Sequence, residues 1–293
     1  MKLSVLIPTY NYDCTHLVHQ LLLQLPEDGE IIVGDDCSTA NFDFSVFESR
    51  FPDGRARVLR TGHNLGRAAI RNALAREAKG EWLLFIDADA EVRSSTFIAD
   101  YLAATEGTMV NVICGGLGNL PQCPRPEALL RYNYEVESEK RLTLERRHRY
   151  PYAQFRTFNF LIQRSLFLSI GFDETLKEYG HEDTLFGLEL KRRNIAILHI
   201  DNKLTNIDYE DADVFMEKTE TALRTLSSME MELKQNVRVS ALALRLNRWH
   251  LLGLVRFLFR MSKPILRANL LGKHPNQKFF AFYKLGYYAS LSS

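Results

Sequence analysis

The chain has 293 residues, 46% hydrophobic and 25% charged, which is typical of a soluble globular protein with room for one large domain or a domain with an appendage. Its four cysteines lack CxxC or Cys/His spacing, which argues against structural zinc and a disulfide scaffold. The net charge of +1 conceals an asymmetry, because residues 233–293 carry 11 Lys or Arg and no Asp or Glu. The rest of the chain holds 26 basic and 36 acidic residues, so a basic tail follows an acidic body.

Strand and helix patterns alternate along the first 200 residues. Runs rich in β-forming residues predict strands, and runs with leucine or alanine at helical spacing predict helices. The predicted strands are residues 3–8, 30–34, 57–60, 82–86, 110–114, 158–162 and 195–200, and the predicted helices are 16–25, 65–79, 127–149 and 184–193. This rhythm indicates βαβ units and a mainly parallel sheet.

Polar residues directly follow three of the predicted strands, as Thr9-Tyr10-Asn11, Asp35-Asp36 and Asp87-Ala88-Asp89. The carboxyl ends of parallel strands share one edge, where open α/β sheets bind their ligands. Paired carboxylates at such an edge suit a hard divalent cation, and such a cation suits a diphosphate. A lone Asp-x-Asp is also typical of a solvated turn, so the convergence of three polar segments is what favours a ligand site.

An ordered set of motifs spans roughly residues 1–200. The motifs are VLIPTYN at 5–11, IIVGDDCST at 31–39, NLG at 64–66 with AIRN at 69–72, GEWLLFIDAD at 80–89, and GFDE at 171–174 with GHEDT at 180–184. Together they resemble the family 2 inverting glycosyltransferases of the GT-A fold, of the bacterial cell-surface glycan type. The resemblance implies an α/β fold with a mixed, mostly parallel, Rossmann-like sheet flanked by helices. It also implies a catalytic domain at residues 1–205, with a nucleotide-binding half at about 1–110 and an acceptor half at about 111–205, and a helical basic extension at 206–293.

The same resemblance implies a nucleotide pocket. Its residues would be Pro8, Thr9, Tyr10, Asp35, Asp36, Arg71 and Asp87. The ring of Tyr10 would stack on the base, and either Asp35 or Asp36 would accept a hydrogen bond from it; a uracil N–H suits a carboxylate, which points to a UDP-sugar. The guanidinium of Arg71 would bind phosphate or nucleoside oxygens, whereas Arg67 reads as an ordinary surface arginine.

Metal binding and catalysis are implied at two further motifs. Asp89, with Asp87, would hold Mn²⁺ or Mg²⁺ against the diphosphate. Asp183, with Glu182 beside it, would be the general base, although acidic residues also favour the start of a helix. His181 and Asn159 are candidates for contact with the acceptor or donor sugar.

One departure concerns a histidine that binds the metal in many relatives. Here that place holds Asn206, and nearby His199 is expected in the core. The metal would then rely on Asp89, the phosphates and water.

The basic tail contains an amphipathic helical pattern. Arg245, Arg248, Arg256 and Arg260 fall near one side of a helical wheel, and Leu251, Leu254, Leu258 and Met261 fall on the other. Such a helix could lie on an anionic membrane surface, or pack on the catalytic domain with its arginines in water. Pro264 is expected to end or kink it, and an aromatic cluster at 279–288 could dock on membrane, partner or body.

The predicted function is metal-dependent inverting transfer of a hexosyl group. The donor would be a nucleotide sugar, and the match between a uracil N–H and a carboxylate favours UDP. The acceptor would be a hydroxyl of a glycan or lipid-linked glycan in polysaccharide biosynthesis. A nucleotidyltransferase that forms sugar nucleotides and a non-catalytic sugar-nucleotide-binding module are the alternatives; nucleic-acid binding is not expected. No signal peptide or run of about 20 apolar residues is visible, so we expect a cytoplasmic protein, free or peripheral on the inner face of the membrane.

Overall fold

The structure is a computed structural model that describes residues 2–39, 47, 49–107, 109–176 and 178–291. The chain divides into two compact units. Unit 1 contains Met1–Gly118, Leu142–Lys177 and Glu182–Asp208, and unit 2 contains Asn119–Arg141, Glu178–His181 and Tyr209–Ser293. The domain limits of 1–205 and 206–293 stay a prediction, because unit 2 also takes residues 119–141 and 178–181.

The seven predicted strands form, each beginning and ending within a few residues of its predicted position, and three short strands at residues 90–91, 117–119 and 204–206 form where none was predicted. The strands are β1 (Leu3–Thr9), β2 (Glu30–Asp35), β3 (Ala56–Arg60), β4 (Trp82–Ile86), β5 (Ala90–Glu91), β6 (Val112–Cys114), β7 (Leu117–Asn119), β8 (Asn159–Gln163), β9 (Ile197–His199) and β10 (Leu204–Asn206). The central strands are buried on both faces, as expected for continuous apolar runs such as WLLFI in β4.

In the described part of the chain, the main sheet has seven strands in the order β3-β2-β1-β4-β8-β6-β9. Neighbours β3, β2, β1 and β4 are parallel, and β8 runs antiparallel to both β4 and β6. The predicted α/β class with a mixed, mostly parallel sheet is therefore confirmed. A second, small sheet pairs β5 with β10 and brings the segment after Asp89 beside Asn206.

Helices form near the predicted positions 16–25, 65–79 and 184–193, and two further helices form at residues 97–105 and 164–170, where none was predicted. The helices are α1 (Thr15–Leu22), α2 (Arg67–Glu77), α3 (Phe97–Thr105), α4 (Leu129–Arg141), α5 (Leu144–Arg149), α6 (Arg164–Ile170), α7 (Glu182–Arg192), α8 (Ala212–Ser228), α9 (Met231–Asn236), α10 (Arg238–Arg248), α11 (Leu252–Leu270) and α12 (Gln277–Leu291). The prediction of a single helix at 127–149 is wrong. Two helices form instead, because Thr143 leaves helical geometry and its Oγ1 caps α5 by accepting a hydrogen bond from Arg146 N at 3.3 Å.

Unit 1 packs apolar side chains on both faces of its main sheet. On one face, the ring of Phe85 in β4 stacks on Phe160 in β8 with centroids 4.9 Å apart, and Phe167 of α6 lies 4.9 Å away on another side. Phe172 and Phe186 extend this aromatic cluster. The cluster holds α6 and α7 against this face of the main sheet.

Unit 2 is helical and has a core of its own. Its buried residues come from α4, α8, α11 and α12 and include Leu130, Phe215, Phe259, Leu266 and Tyr283. The aromatic cluster at 279–288 thus contributes to this core through Phe280 and Tyr283. Helix α11 continues past Pro264 to Leu270, so the proline does not end it. Among the described residues, no helix has the length and apolarity needed to cross a bilayer.

We predict that Phe85→Ala lowers the free energy of unfolding by about 3–5 kcal/mol, because it leaves a cavity against two aromatic rings. Urea unfolding followed by tryptophan fluorescence measures this. Leu23→Ala, at a side chain that is 89% exposed, is the control and should change the free energy by less than about 0.5 kcal/mol. Equal effects of the two substitutions would contradict this account of the core.

Candidate active site

The ends of β1 and β2 are held together by backbone and side-chain hydrogen bonds. Asp36 N donates to Thr9 O at 3.0 Å, and Thr9 Oγ1 donates to Tyr12 O at 2.8 Å. Pro8 and Thr9 are the last residues of β1, and the next side chain, Tyr10, is 48% exposed. The tyrosine ring expected to stack on a base is therefore open to solvent.

Asp35 and Asp36 are both buried but have different surroundings. Asp36 Oδ1 accepts from Leu65 N at 2.7 Å, and its Oδ2 accepts from Gly66 N at 2.9 Å, at the start of α2. Gly66 has φ +86°, which favours glycine, so this turn needs both residues. Asp35 Oδ1 accepts from Ser38 N at 3.0 Å, within its own loop, so Asp36 has the larger part in holding the turn.

Two arginines of α2 face the carboxylate that follows β4. Arg71 is 2% exposed, and its Nη2 lies 2.5 Å from Asp87 Oδ1. Arg67 Nη2 lies 3.6 Å from Asp87 Oδ2. The spacing of four residues places both guanidinium groups on one side of the helix. Asp87 is therefore bracketed by two positive charges.

Arg67 also connects this strand end to the start of α7. Its Nε donates to Glu182 Oε1 at 2.8 Å, and the Glu182 side chain is 11% exposed. Burial pushes the pKa of Glu182 upward, but the positive charges of Arg67 and Arg71 outweigh burial and leave the pKa lowered. Glu182 is thus held as a carboxylate in a network with Arg67, Asp87 and Arg71.

Asp183 is the first-turn neighbour of Glu182 but is held less firmly. Its Oδ2 lies 3.8 Å from Arg156 Nη1, and its Oδ1 accepts from Thr184 N at 2.7 Å. The side chain is 23% exposed. A half-exposed carboxylate at a helix start has the accessibility that a proton acceptor needs.

Asp89 is half-buried near other carboxylates. Burial raises its pKa to about 7, and the negative charge of nearby Asp87 adds to this effect, while Arg67 opposes it. The charges of Asp208 and Asp89 in turn help burial raise the pKa of Tyr12 to about 12. Negative charge is therefore concentrated around Asp89 without full compensation by arginine.

The donor set at Asp89 and Asp87 fits a divalent cation bound mainly by a ligand's phosphates. Both residues offer oxygen atoms, and the raised pKa of Asp89 marks a position where a positive charge is favourable. In the described residues, no group of three or more His, Cys, Asp or Glu side chains is placed to hold a metal ion. Mg²⁺ and Mn²⁺ can bind through one or two carboxylates completed by phosphate oxygens and water.

Two candidate sugar-contacting residues of the sequence analysis have other surroundings. Asn159 is 2% exposed, and its Nδ2 donates to Gly116 O at 3.0 Å and Asn202 O at 2.9 Å, so its amide holds loops together. His181 belongs to unit 2, where its Nε2 lies 3.1 Å from Ala222 O. Their contact with a sugar stays a prediction.

The segment that carries a histidine in relatives is buried here. Asn206 is 3% exposed, and its Oδ1 accepts from Asp208 N at 3.2 Å. His199 is 1% exposed beside Pro151 O at 3.0 Å, and burial lowers its pKa to about 4. His199 therefore lies in the core, as expected.

The glycine-rich turn at 115–118 packs on protein. Gly116 has φ +102°, and a Cβ there would come within 2.9 Å of Arg147 Nη1. The absent side chain makes room for the buried guanidinium of Arg147, which accounts for the glycine without a ligand.

The residue that sequence reasoning missed is Arg67. The sequence pattern predicts an ordinary surface arginine at this position, yet in the structure its side chain bridges Asp87 and Glu182. The available signal was its position one helical turn before Arg71, which places the two side chains together. Only the tertiary structure supplies the partner, since Glu182 lies 115 residues away along the chain.

The sequence model described as "Glycosyl transferase family 2" matches residues 4–172, which is more than half of the chain. The chain belongs to glycosyl transferase family 2. The resemblance seen in the motifs is therefore confirmed.

The chain is similar to one curated relative over part of its length and to two solved structures in its fold. The Escherichia coli UDP-Glc:alpha-D-GlcNAc-diphosphoundecaprenol beta-1,3-glucosyltransferase WfgD is 33% identical over 88 residues, which are 29% of this chain and 34% of that protein. This chain thus matches about a third of that relative's length.

The two solved structures are similar over nearly the whole chain. Staphylococcus aureus TarS 1–349 in complex with UDP-GlcNAc has a TM-score of 0.55 at 19% identity and covers 98% of this chain and 90% of that chain. The mannosyltransferase PcManGT from Pyrobaculum calidifontis, in complex with GDP-Man and Mn²⁺, has a TM-score of 0.60 at 16% identity, with coverages of 99% and 85%. These likenesses show the fold, and the expected GT-A class is confirmed.

We predict that Arg67→Gln raises the pKa of Glu182, because it removes the nearer of two positive charges that lower it. In the wild type, a lowered pKa stabilises the fold above the ordinary glutamate pKa of about 4.3, and that contribution is lost as the pH falls through the folded value. Carboxyl ¹³C NMR titration of Glu182 measures the shift. Arg76→Gln, an exposed arginine on the same helix, is the control, and an equal pKa in wild type and Arg67→Gln would refute the network.

Proposed function

We propose that this protein transfers a hexosyl group from a UDP-sugar, with inversion, to a hydroxyl of a glycan or lipid-linked acceptor in polysaccharide biosynthesis. The observation that carries the proposal is the charged network of Arg71, Asp87, Arg67 and Glu182. It connects the end of β4, which lies within residues 4–172 matched by the family 2 model, to Glu182 at the start of α7, where the candidate base Asp183 is the next residue.

The nucleotide would bind along the ends of β1 and β2. Tyr10, half exposed, offers a ring face to the base, and Asp35 or Asp36 offers an acceptor for a base N–H. Pro8 and Thr9 would line the pocket beneath the nucleoside. Arg71 would face the phosphate side; its Nε has no hydrogen-bond partner within the described residues.

Asp89 and Asp87 would hold Mn²⁺ or Mg²⁺. Bound there, the cation would neutralise charge on the diphosphate leaving group. Asp87 is paired with Arg71 and Arg67, whereas the raised pKa of Asp89 shows that its charge is less compensated, so a bound cation would stabilise ionised Asp89 more. The support is the concentration of negative charge at Asp89 and the oxygen chemistry of the pair.

Asp183 would act as the general base. Its carboxylate takes the proton from the acceptor hydroxyl while that oxygen bonds to the anomeric carbon of the donor, and the bond from that carbon to the diphosphate breaks with its electron pair leaving on the phosphate oxygen. Glu182 would serve as the positioning residue, because its contact with Arg67 and its lowered pKa make it the weaker proton acceptor.

Two observations favour UDP as the nucleotide: the similar Escherichia coli protein WfgD is named as a UDP-Glc-dependent glucosyltransferase, and the TarS structure holds UDP-GlcNAc. The fold alone does not choose the base, because PcManGT holds GDP-Man. Thermal shift with UDP-sugars and GDP-mannose in the presence of Mn²⁺ tests the choice, since a ligand that binds only the native state raises its melting temperature. If GDP-mannose alone raises the melting temperature, the proposed donor would be a GDP-sugar and not a UDP-sugar.

We predict that Asp183→Asn lowers kcat for transfer by about 10²–10⁴-fold and leaves UDP-sugar binding unchanged, because an amide cannot accept the proton. Radiolabelled transfer to a glycan acceptor gives kcat, and calorimetry gives donor affinity. Asp53→Asn, at an exposed carboxylate of unit 1, is the matched control. Full activity in Asp183→Asn would remove this residue from the mechanism.

We predict opposite effects of Asp89→Asn with and without metal. Without metal, the variant is more stable than wild type near pH 8, because the raised pKa of Asp89 makes its ionised form unfavourable in the fold, and the difference disappears near pH 4, where the carboxyl is largely protonated when folded. With UDP and Mn²⁺, only the wild type gains stability. Melting temperatures at the two pH values measure both effects; equal gains with Mn²⁺ would place the metal elsewhere.

A further inference from the structure

Helices α10 and α11 expose apolar side chains that the core of unit 2 does not use. We define the docking face as the exposed apolar residues of these helices and the turn between them, each at least 42% exposed. They are Leu242, Trp249, Leu251, Leu254, Phe257, Leu258, Met261 and Ile265. Isolated apolar residues are normal on a protein surface, but a group concentrated on one helix pair indicates a binding surface.

Helix α11 is apolar on two opposite sides. Leu252, Phe259 and Leu266 recur every seven residues and are buried in unit 2. The exposed residues from Leu254 to Ile265 recur at three- and four-residue spacing on the far side of the helix. The buried stripe explains why the helix packs in unit 2, and it leaves the second stripe without an explanation inside that unit.

The docking face is flanked by positive charge. Arg238, Arg245, Arg248 and Arg260 are exposed on the same two helices, and residues 233–293 contain no Asp or Glu. Arg245 and Arg248 also line a cavity of about 460 Å³. A partner of this surface must therefore accept apolar side chains and carry negative charge.

We propose that the docking face binds the surface of an anionic lipid bilayer. A bilayer offers an acyl region for Phe257 and Met261 and headgroup phosphates for Arg245 and Arg248. Trp249, 61% exposed at the turn between the helices, is a residue type enriched at the membrane–water interface. A second copy of the chain fits less well, because it would bring one basic rim against another.

Vesicle flotation with the full-length protein tests the proposal. Wild type is expected to float with vesicles of phosphatidylcholine and phosphatidylglycerol and to float much less with phosphatidylcholine alone. Phe257→Ser with Met261→Ser removes two side chains of the docking face, and Arg245→Gln with Arg248→Gln removes two charges. Each pair is expected to weaken binding about tenfold or more. About 1 M NaCl, where the Debye length is roughly 3 Å, should weaken wild-type binding as well.

Matched controls change the same residue types outside the docking face. Leu23→Ser with Met109→Ser removes two apolar side chains that are 89% and 100% exposed, and Arg146→Gln with Arg149→Gln removes two exposed charges from α5. These controls are expected to bind vesicles as wild type does. Circular dichroism and melting temperature establish that the docking-face variants fold, since the substituted side chains are exposed.

Three results would overturn the proposal. The first is wild type that stays at the bottom of the gradient with anionic vesicles, which would leave an acidic protein as the partner. The second is Phe257→Ser with Met261→Ser floating as well as wild type. The third is a wild-type dimer without lipid that this double substitution makes monomeric, which would assign the face to a second copy. Vesicle binding needs no sugar donor, so these results are independent of the transfer assay.

Discussion

The site depends on the pairing of Arg71 with Asp87. A guanidinium that is 2% exposed is tolerated only beside a negative charge, and removing Asp87 would leave Arg71 buried and uncompensated. This pair fixes the side of α2 that faces the end of β4. Arg67, one turn earlier, is thereby placed between Asp87 and Glu182, and the start of α7 is tied to the sheet.

The same charges separate the roles of neighbouring carboxylates. Arg67 and Arg71 overcome the effect of burial on Glu182 and lower its pKa, whereas Asp89 has burial and Asp87 acting together, which raises its pKa to about 7. Asp183, with a more distant arginine, stays partly exposed. Glu182 and Asp89 thus differ in proton affinity, because arginine charges offset burial at Glu182 and a carboxylate charge adds to burial at Asp89. This difference supports the proposal that the two side chains have different roles.

Unit 2 illustrates why a helical wheel does not by itself predict which apolar side of a helix is buried. The wheel of the tail separates arginines from leucines and favours one apolar side. Helix α11 has two, and the side through Leu252, Phe259 and Leu266 is the one that packs in unit 2. The leucines and Met261 singled out in the tail are exposed instead. Burial and exposure of apolar residues on one helix are decided by which neighbours the chain brings to it, and α12 covers only one side.

The sequence by itself determined the order of the seven strands of the main sheet and of helices α1, α2 and α7, the polar ends of β1, β2 and β4, and the family. Those features rest on local periodicity, on turn residues and on motifs of a few adjacent residues, which need no knowledge of distant contacts. Only the tertiary structure decided that Arg67 bridges Asp87 and Glu182, that Asp36 holds the turn at Gly66, and that a cap at Thr143 divides one expected helix into two. The bridge and the turn join residues about 30 to 115 positions apart, and local patterns carry no information on such contacts. At Thr143 the local pattern was compatible both with one continuous helix and with two helices, so helix propensity alone did not predict the break.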